Sequence, residues 1–199
     1  SATHGVRFKS VEQTLEELLT FEKIHANCKV IKFVDRTFNA DVRRANTIWQ
    51  ALLNEKYTKS YHFEICASLL NEESFDILSR FPKGKVQLEI GLQSTNPQTL
   101  AASSRHIDAQ KVIDAAKRIK DKGNVHVHLD LIAGLPYEDL KSFRESFNIA
   151  FSLNADMLQL GFLKLLYGAP MRDNPEKYPC EFSWEAPYTV TKTPWLTEA

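Results

Sequence analysis

The chain has 199 residues, of which 43% are hydrophobic, and its 25 Lys and Arg residues balance its 25 Asp and Glu residues. This composition excludes a disordered chain, and a net charge of zero provides no overall field that would attract nucleic acid or an anionic membrane. A small-molecule substrate is therefore the expected partner. Three cysteines are too few for a disulfide framework. No apolar run reaches the roughly 18 residues of a membrane helix, and no signal peptide opens the chain, so we expect a cytoplasmic protein.

Strand patterns alternate with helix patterns along the chain. β-Branched and aromatic residues predict five strands, over residues 29–35, 61–67, 85–92, 125–133 and 157–165. Apolar residues at helical spacing predict five helices. Four of them span residues 10–25, 71–81, 108–122 and 137–153, and the remaining one begins after an N-cap at Asp41. Gly123 is the predicted C-cap of the fourth helix. Strands that alternate with helices indicate parallel βαβ units, which build either an open doubly wound sheet or a barrel.

Polar residues follow one face of three predicted strands, while apolar residues occupy the opposite face. The residues on the polar face are His62, Glu64, Cys66, Gln87, Glu89, Gly91, Gln93, His126, His128 and Asp130. A doubly wound sheet buries both faces, and an ordinary eight-stranded barrel fills its lumen with aliphatic side chains. The pattern therefore favours a wide or partly open barrel with a polar cavity. Because a helix pattern opens the chain and five strands do not close a barrel, we expect a fragment whose first strand lies upstream.

Five segments resemble motifs of radical S-adenosylmethionine (SAM) enzymes, in the right order. VHLDLIAGLP resembles the fifth-strand segment Asp-x-Ile-x-Gly-Leu-Pro of the coproporphyrinogen-oxidase-like and methylthiotransferase-like branches, and EIGLQSTNPQTL resembles their fourth-strand segment. KFVDRTFNAD and FEICASLL are similar to the second and third strands of the branch that often carries an upstream cobalamin-binding domain. SATHGVRF resembles the segment directly after the cluster-binding CxxxCxxC loop of that branch.

The prolines and aromatic residues of 171–199 predict an irregular C-terminal extension that packs on the rest of the chain. The resemblance implies an α/β fold, a partial TIM-like (β/α)6 barrel over residues 1–170 that comprises strands two to six. It also implies SAM beside a [4Fe-4S] cluster, whose reduced form cleaves SAM to a 5'-deoxyadenosyl radical that abstracts hydrogen from an unknown substrate. Cobalamin, held by an upstream domain, is a further cofactor that the resemblance leaves open. No three cysteines here have the spacing of a cluster site. The cluster cysteines are therefore expected in a missing N-terminal part of the same polypeptide, and the fragment alone is expected to be inactive.

The resemblance assigns SAM contacts to the acid of the third strand, the glutamine of the fourth, the basic residue after it and the acid of the fifth strand. These residues are Glu64, Gln93, Arg105 and Asp130. Asp35, followed by Arg36 and Thr37, stands where the family usually has a Gly-Gly-Glu or Gly-Gly-Gly-Thr loop that receives the SAM amino group, although those glycines are absent here. The chemistry agrees, because carboxylates accept hydrogen bonds from ammonium and hydroxyl groups and an arginine clamps a carboxylate.

Glu89 and Lys164 are further candidates for cofactor contacts, as a carboxylate and a cation in the lumen. Simpler alternatives stay open. Glu89 or Asp130 could form a salt bridge with a lysine or arginine of the lumen. Asp35 could cap the turn before Asn39, Arg105 could be a solvated surface charge, and Lys164 could extend its ammonium to solvent.

Two other functions are weighed against the radical SAM hypothesis. His126 and His128 form a His-x-His pair on one strand face, which resembles the start of the zinc site of metal-dependent hydrolases, with His62 or Asp130 as a further ligand. This hypothesis lacks a second histidine pair on later strands. The barrel could also be a non-catalytic scaffold that binds a ligand or partner passively.

Overall fold

A five-stranded parallel sheet forms the centre of the molecule. The computed structural model describes residues 6–24, 27–103, 105 and 107–196. The sheet has the order β1-β2-β3-β4-β5, so each strand lies beside the strand that precedes it in the chain. These strands are β1 (Val30–Lys32), β2 (Ser60–Ile65), β3 (Val86–Gln93), β4 (His126–Ala133) and β5 (Met157–Phe162). The sheet curls into a half-barrel, which confirms the predicted class of fold.

Helices connect the strands, as the alternating pattern predicts. They are α1 (Val11–Ile24), α2 (Val42–Leu52), α3 (Glu72–Ser79), α4 (Pro97–Ala102), α5 (Ala109–Lys122), α6 (Leu140–Ser152) and α7 (Pro170–Asp173). Asp41 caps α2 by accepting from the backbone N–H of Arg44, and Gly123 ends α5 in the left-handed conformation with φ of 68°. Both predicted caps are confirmed. No helix in the described ranges is long and apolar enough to cross a membrane.

The apolar face of the sheet packs against the helices and forms the core. Its fully buried members include Tyr61, Phe63, Leu88, Ile90, Val127, Leu129 and Leu131. Aromatic rings extend this core towards α2, where the Phe63 ring lies 4.5 Å from Phe38 and 6.0 Å from Trp49 between centroids. Each large apolar side chain contributes roughly 1.5–3 kcal/mol when it is buried in this way. Because the apolar face is fully used for folding, the opposite face of the sheet is left for function.

Three element boundaries differ from the prediction by three residues, and others differ by one or two. β1 ends at Lys32 rather than at residue 35, although the backbone N–H of Phe33 still donates to the carbonyl of His62 at 2.9 Å. β5 ends at Phe162 rather than at residue 165. The helix predicted over residues 137–153 begins at Leu140, because Tyr137 has a φ of 61° that no helix allows. The predicted end of the first helix at His25 and the first five residues of the SATHGVRF segment lie outside the described residues.

The C-terminal tail contains two short antiparallel strands, β6 (Glu181–Phe182) and β7 (Val190–Lys192). The backbone N–H of Val190 donates to the carbonyl of Leu163 at 2.8 Å, which ties β7 to the chain just after β5. Tyr178 donates its hydroxyl to the carbonyl of Ala102 at 3.1 Å, at the end of α4. These contacts lie at the loops that follow β3 and β5. Packing of the tail across the open side of the half-barrel stays a prediction.

Candidate functional site

Polar side chains cover the inner face of the half-barrel, which we call the lumen face. Strand pairing arranges its positions in three rows, Lys32–His62–Gln87–His126, Glu64–Glu89–His128–Met157 and Gly91–Asp130–Gln159. The last row lies nearest the carboxyl ends of the strands, where loops of parallel α/β folds build their ligand sites. The structure therefore confirms the predicted division of the sheet into an apolar face and a polar face.

Three of the predicted SAM contacts converge at Gly91. A Cβ atom added to Gly91 would lie 2.4 Å from Nε2 of Gln93 and 3.3 Å from Nη1 of Arg105. The same Nη1 atom donates to the carbonyl oxygen of Gly91 at 3.1 Å. Asp130 is the partner of Gly91 on the neighbouring strand. Because glycine has no side chain, it leaves the space that an amide, a guanidinium and a carboxylate share.

Gln93 reaches this position through an unusual backbone conformation. Its φ of 66° lies in the left-handed region, which is energetically unfavourable for a residue with a side chain. Gln93 is the last residue of β3 and follows a register shift in the pairing of β3 with β4. The residue is only 7% exposed, and its Oε1 atom is buried without a hydrogen-bond partner in the described part of the chain. Strain of this kind persists where the surrounding structure enforces it, which is common at ligand sites.

The charges around Gly91 shift one another's protonation. Burial, together with the carboxylates of Glu89 and Glu64, raises the pKa of Asp130 to about 6, while Lys32 and Arg105 act against this shift. Burial and Glu89 likewise raise the pKa of Glu64. Burial lowers the pKa of Arg105 although Glu64 and Asp130 favour its charged form, and an arginine still remains protonated at neutral pH.

A second cluster lies one row deeper in the lumen. Glu89 Oε2 accepts from Nζ of Lys32 at 2.9 Å and from Nε2 of His62 at 2.9 Å. Burial by itself would raise the pKa of Glu89, but these two donors outweigh it and lower the value. Burial and Lys32 lower the pKa of His62 below its ordinary range, so the imidazole is neutral at pH 7. The salt-bridge alternative for Glu89 is therefore formed, and its contact with a cofactor stays a prediction.

Unsatisfied polar atoms mark the lumen face as a place for a ligand. Buried atoms without a hydrogen-bond partner among the described residues include Gln93 Oε1, His126 Nε2, His128 Nε2 and Asp130 Oδ1. Each buried polar atom without a partner costs about 1–3 kcal/mol. A ligand with polar groups at these positions recovers that energy. The orphaned atoms and the polar side chains around Gly91 fit the ammonium, carboxylate and hydroxyl groups of SAM.

A pocket of about 250 Å³ opens beside this site, lined by Arg36, Thr37, Glu64, Cys66, Gly91 and Arg105 together with apolar side chains. Asn39 fixes the backbone of Cys66 in the wall of this pocket: its Nδ2 donates to the carbonyl of Cys66 at 2.9 Å, and its Oδ1 accepts from the N–H of Cys66 at 2.9 Å. Sequence analysis missed Asn39 as a site residue, because an asparagine after a strand is an ordinary turn signal and its partner is 27 positions away.

Two of the predicted cofactor-binding residues, Asp35 and Lys164, lie away from Gly91. Asp35 is exposed and lines a different groove with Arg7 and Arg44, while its neighbours Arg36 and Thr37 face the pocket. The short helical turn Phe38–Ala40 has no side-chain cap, so Asp35 does not cap it either. Lys164 is exposed beyond the end of β5, and its backbone pairs with Thr189 of the tail.

The described residues hold no metal centre. Cys28, Cys66 and Cys180 are all free, and the described ranges contain no group of three His, Cys, Asp or Glu side chains that could hold a metal ion. The residues present therefore do not fit a [4Fe-4S] cluster. The same finding removes the support for a zinc hydrolase built on His126 and His128.

Comparison with known proteins shows the family of this chain. A family model described as the radical SAM superfamily matches residues 1–150. The chain belongs to the radical SAM superfamily. This radical SAM chain is 28% identical over 109 residues to the oxygen-independent coproporphyrinogen-III oxidase-like protein HemZ of Bacillus subtilis. The match covers 55% of this chain and 21% of HemZ, so the chain spans about a fifth of that relative's length.

Solved structures of other radical SAM enzymes share the fold. The methyltransferase TsrM from Kitasatospora setae, solved with cobalamin and a [4Fe-4S] cluster bound, matches 82% of this chain and 30% of its own, with a TM-score of 0.70 and 14% identity. Coproporphyrinogen III oxidase (HemN) from Escherichia coli matches 78% of this chain and 38% of its own, with a TM-score of 0.60 and 19% identity. At these identities the likeness shows the fold alone, and the predicted partial radical SAM barrel is confirmed.

Proposed function

We propose that this chain is the SAM-binding part of a radical SAM enzyme and that SAM binds at the carboxyl ends of β2, β3 and β4. The convergence of Gln93, Arg105 and Asp130 around Gly91 is the observation that carries the proposal. Arg105 would bind the SAM carboxylate, and Asp130 with Glu64 would accept from its ammonium or ribose hydroxyls. Gln93 supplies an acceptor, the orphaned Oε1 atom, and an amide donor.

The cofactors follow from family membership. A [4Fe-4S] cluster and SAM, when bound, supply the one-electron chemistry that removes a hydrogen atom from a substrate. The chain's own residues bind and orient SAM and line the cavity beside it, whereas the cluster ligands would come from outside the described residues. Cobalamin is a further candidate, supported by its presence in the TsrM structure. We also propose that the substrate is a small molecule and that the protein has no nucleic-acid partner. We propose a cytoplasmic location as well, which the free cysteines support.

A binding measurement tests the SAM site directly. Isothermal titration calorimetry of SAM into this chain compares the wild type with Asp130→Asn and with Asp121→Asn, whose carboxylate is exposed on α5. Loss of a charged hydrogen-bond partner should weaken binding about tenfold or more for Asp130→Asn, while Asp121→Asn should match the wild type. Equal affinities in all three proteins contradict the proposed site.

Turnover tests the enzyme itself. The complete polypeptide of the gene, reconstituted anaerobically with iron and sulfide, is mixed with dithionite and SAM, and 5'-deoxyadenosine is quantified by mass spectrometry. Formation of this product that falls in Asp130→Ala supports the radical SAM function. A folded protein that assembles a cluster and binds SAM without forming the product would favour the passive scaffold instead.

A further inference from the structure

His128 and Asp130 lie two positions apart on β4 and share the lumen face. Nε2 of His128 is 3.1 Å from Oδ1 of Asp130, yet both atoms are buried and neither has a hydrogen-bond partner in the described part of the chain. His128 is only 7% exposed. The 3.1 Å distance lies within hydrogen-bonding range, but the two atoms form no hydrogen bond in this arrangement, so one of the side chains must change its orientation to satisfy both.

Other charged and titratable groups face this pair from every neighbouring element. They are Lys32 on β1, His62 and Glu64 on β2, Glu89 on β3 and Arg105 after α4. On β5, the neighbour of Asp130 is the uncharged Gln159. Burial lowers the pKa of His128, with Glu89 acting against the shift and Lys32 adding to it. His128 is therefore neutral at pH 7, and one of its ring nitrogens carries a proton that can be donated.

We propose that His128 is a positioning residue for the SAM site, an inference that rests on the proposed function. When a ligand engages the Asp130 carboxylate, His128 donates its Nε2–H to Oδ1 and fixes the orientation of the carboxylate. Oδ2 is then directed at the hydrogen-bond donors of the ligand. His128 itself makes no contact with the ligand, and it acts only through Asp130.

The geometry predicts how binding depends on pH. Ligand donors and the His128 N–H both favour the ionised carboxylate, so SAM affinity falls as the pH drops through the pKa of Asp130, which is about 6. The His128 bond forms only with bound ligand, so removal of the donor leaves the pKa of Asp130 in the free chain unchanged. A variant that lacks the donor therefore loses affinity above this pKa, where the carboxylate is ionised, and the loss becomes smaller below it.

Two substitutions at the same position separate donation from packing. His128→Phe keeps a flat ring but has no donor, whereas His128→Gln places an amide nitrogen near the position of Nε2. SAM is titrated into the full chain by calorimetry between about pH 5 and pH 8, with Asp130→Asn as the variant that has no carboxylate to position. The near-ultraviolet circular dichroism of each variant checks that it is folded.

For His128→Phe we expect SAM affinity about tenfold below that of the wild type at pH 7 and a smaller difference at pH 5, where Asp130 is protonated. For His128→Gln we expect affinity within about threefold and a midpoint near that of the wild type. Asp130→Asn should bind weakly and without dependence on pH in this range.

Three outcomes overturn the inference. If His128→Phe and His128→Gln both match the wild type while Asp130→Asn does not, only the role of His128 fails. If both His128 variants weaken binding equally at every pH, His128 is structural. If the wild type does not bind SAM at all, the proposed function fails, and the role of His128 fails with it.

Discussion

Gly91 controls whether the side chains of the candidate site can meet. In a Gly91→Ala variant the new methyl group would occupy the position of the Gln93 amide, which is the movable end of a flexible side chain. The fold should therefore tolerate the change, with the free energy of unfolding altered by less than about 1 kcal/mol, because alanine also restricts the unfolded chain. SAM affinity, measured by calorimetry, should fall about tenfold.

Gly161→Ala is the matched control for this prediction. Its added Cβ would lie 3.7 Å from the carbonyl oxygen of Leu131, an ordinary contact, and Gly161 is one strand away from the site. SAM binding should be unchanged in this variant. If Gly91→Ala binds SAM as tightly as Gly161→Ala does, the space above Gly91 is not part of the site.

Residues inside short motifs could be predicted from the sequence, while residues that act through distant partners could not. Gln93 and Asp130 stand in segments that resemble family motifs, and the structure brings them together. Asp35 was predicted from the same kind of resemblance, but the glycines that would shape its loop are absent and its side chain is exposed. Asn39 carries no such pattern, because its importance comes from Cys66, which follows β2 and is 27 positions away.

The contact between α1 and β2 depends on one carboxylate at the amino end of the sheet. Glu22 accepts from the hydroxyls of Tyr61 at 2.7 Å and Thr58 at 2.6 Å, and from the backbone N–H of Lys59 at 3.1 Å. Burial alone would raise the pKa of Glu22, but these hydrogen bonds outweigh it and lower the value from its ordinary 4.5 to about 2. The ionised carboxylate therefore stabilises the docking of α1.

Glu22→Gln should lower the free energy of unfolding at pH 7 by about 1 kcal/mol, the net value of a hydrogen bond, since the carboxylate is still partly solvated. The folded-state pKa is below the unfolded one, so this contribution is complete above pH 4.5 and disappears as the pH falls towards about 2. Urea unfolding at both ends of this window measures it. Glu16→Gln, on the exposed side of α1, should be neutral, and a similar loss in both variants would contradict the prediction.

The loops after β3 and β4 are held together by a buried carboxyl group. Glu138 is 0% exposed, and its Oε1 accepts from the hydroxyls of Ser94 and Ser146. Ser146 in turn accepts from the backbone N–H of Thr95 at 2.9 Å. Ser94 directly follows Gln93, so this network helps to maintain the loop conformation that turns Gln93 over the site.

Glu138→Ala should cost about 2 kcal/mol, because it leaves two buried hydroxyl groups without their acceptor. Burial raises the pKa of Glu138 above its unfolded value, so the wild type loses stability as the pH rises through the folded-state pKa. Glu138→Gln cannot ionise, and relative to the wild type it should gain about 1 kcal/mol between pH 4 and pH 8 in urea unfolding. The exposed Glu145→Gln of α6 is the control, and an equal gain there would refute the assignment.

The order and type of the five sheet strands and of the five longer helices could be predicted because each carries its own local pattern, including the caps at Asp41 and Gly123, whereas α4, α7, β6 and β7 were not predicted from such a pattern. The start of α6 could not be predicted. Its first turn was predicted at residue 137, but Tyr137 adopts a positive φ and Glu138 turns inward to partners that are 8 and 44 residues away. Tertiary hydrogen bonds of this kind leave no periodic trace in the sequence.

At the scale of the whole molecule, the tail stabilises the carboxyl ends of the sheet. Val190 pairs with Leu163, Tyr178 reaches Ala102, and the Trp195 ring lies 4.7 Å from that of Tyr137. Deletion of residues 178–199 should lower the melting temperature by several degrees, since about 1 kcal/mol corresponds to roughly 2–4 °C in a chain of this size. Trp195→Ala and Tyr178→Phe should each produce part of this loss in differential scanning calorimetry. An unchanged melting temperature in all three variants would show that the tail is not packed.

The short β1 strand also determines how this chain behaves when it is concentrated. Within the described residues β1 pairs only with β2, so the backbone groups of its other edge are open to a strand from a second molecule. Val34, just beyond β1, is 93% exposed, while Lys29 places a positive charge next to the same edge. Like charges on two molecules oppose edge-to-edge pairing, and salt screens them over about 10 Å at 0.1 M. We therefore expect any edge-to-edge association of the chain to increase with ionic strength.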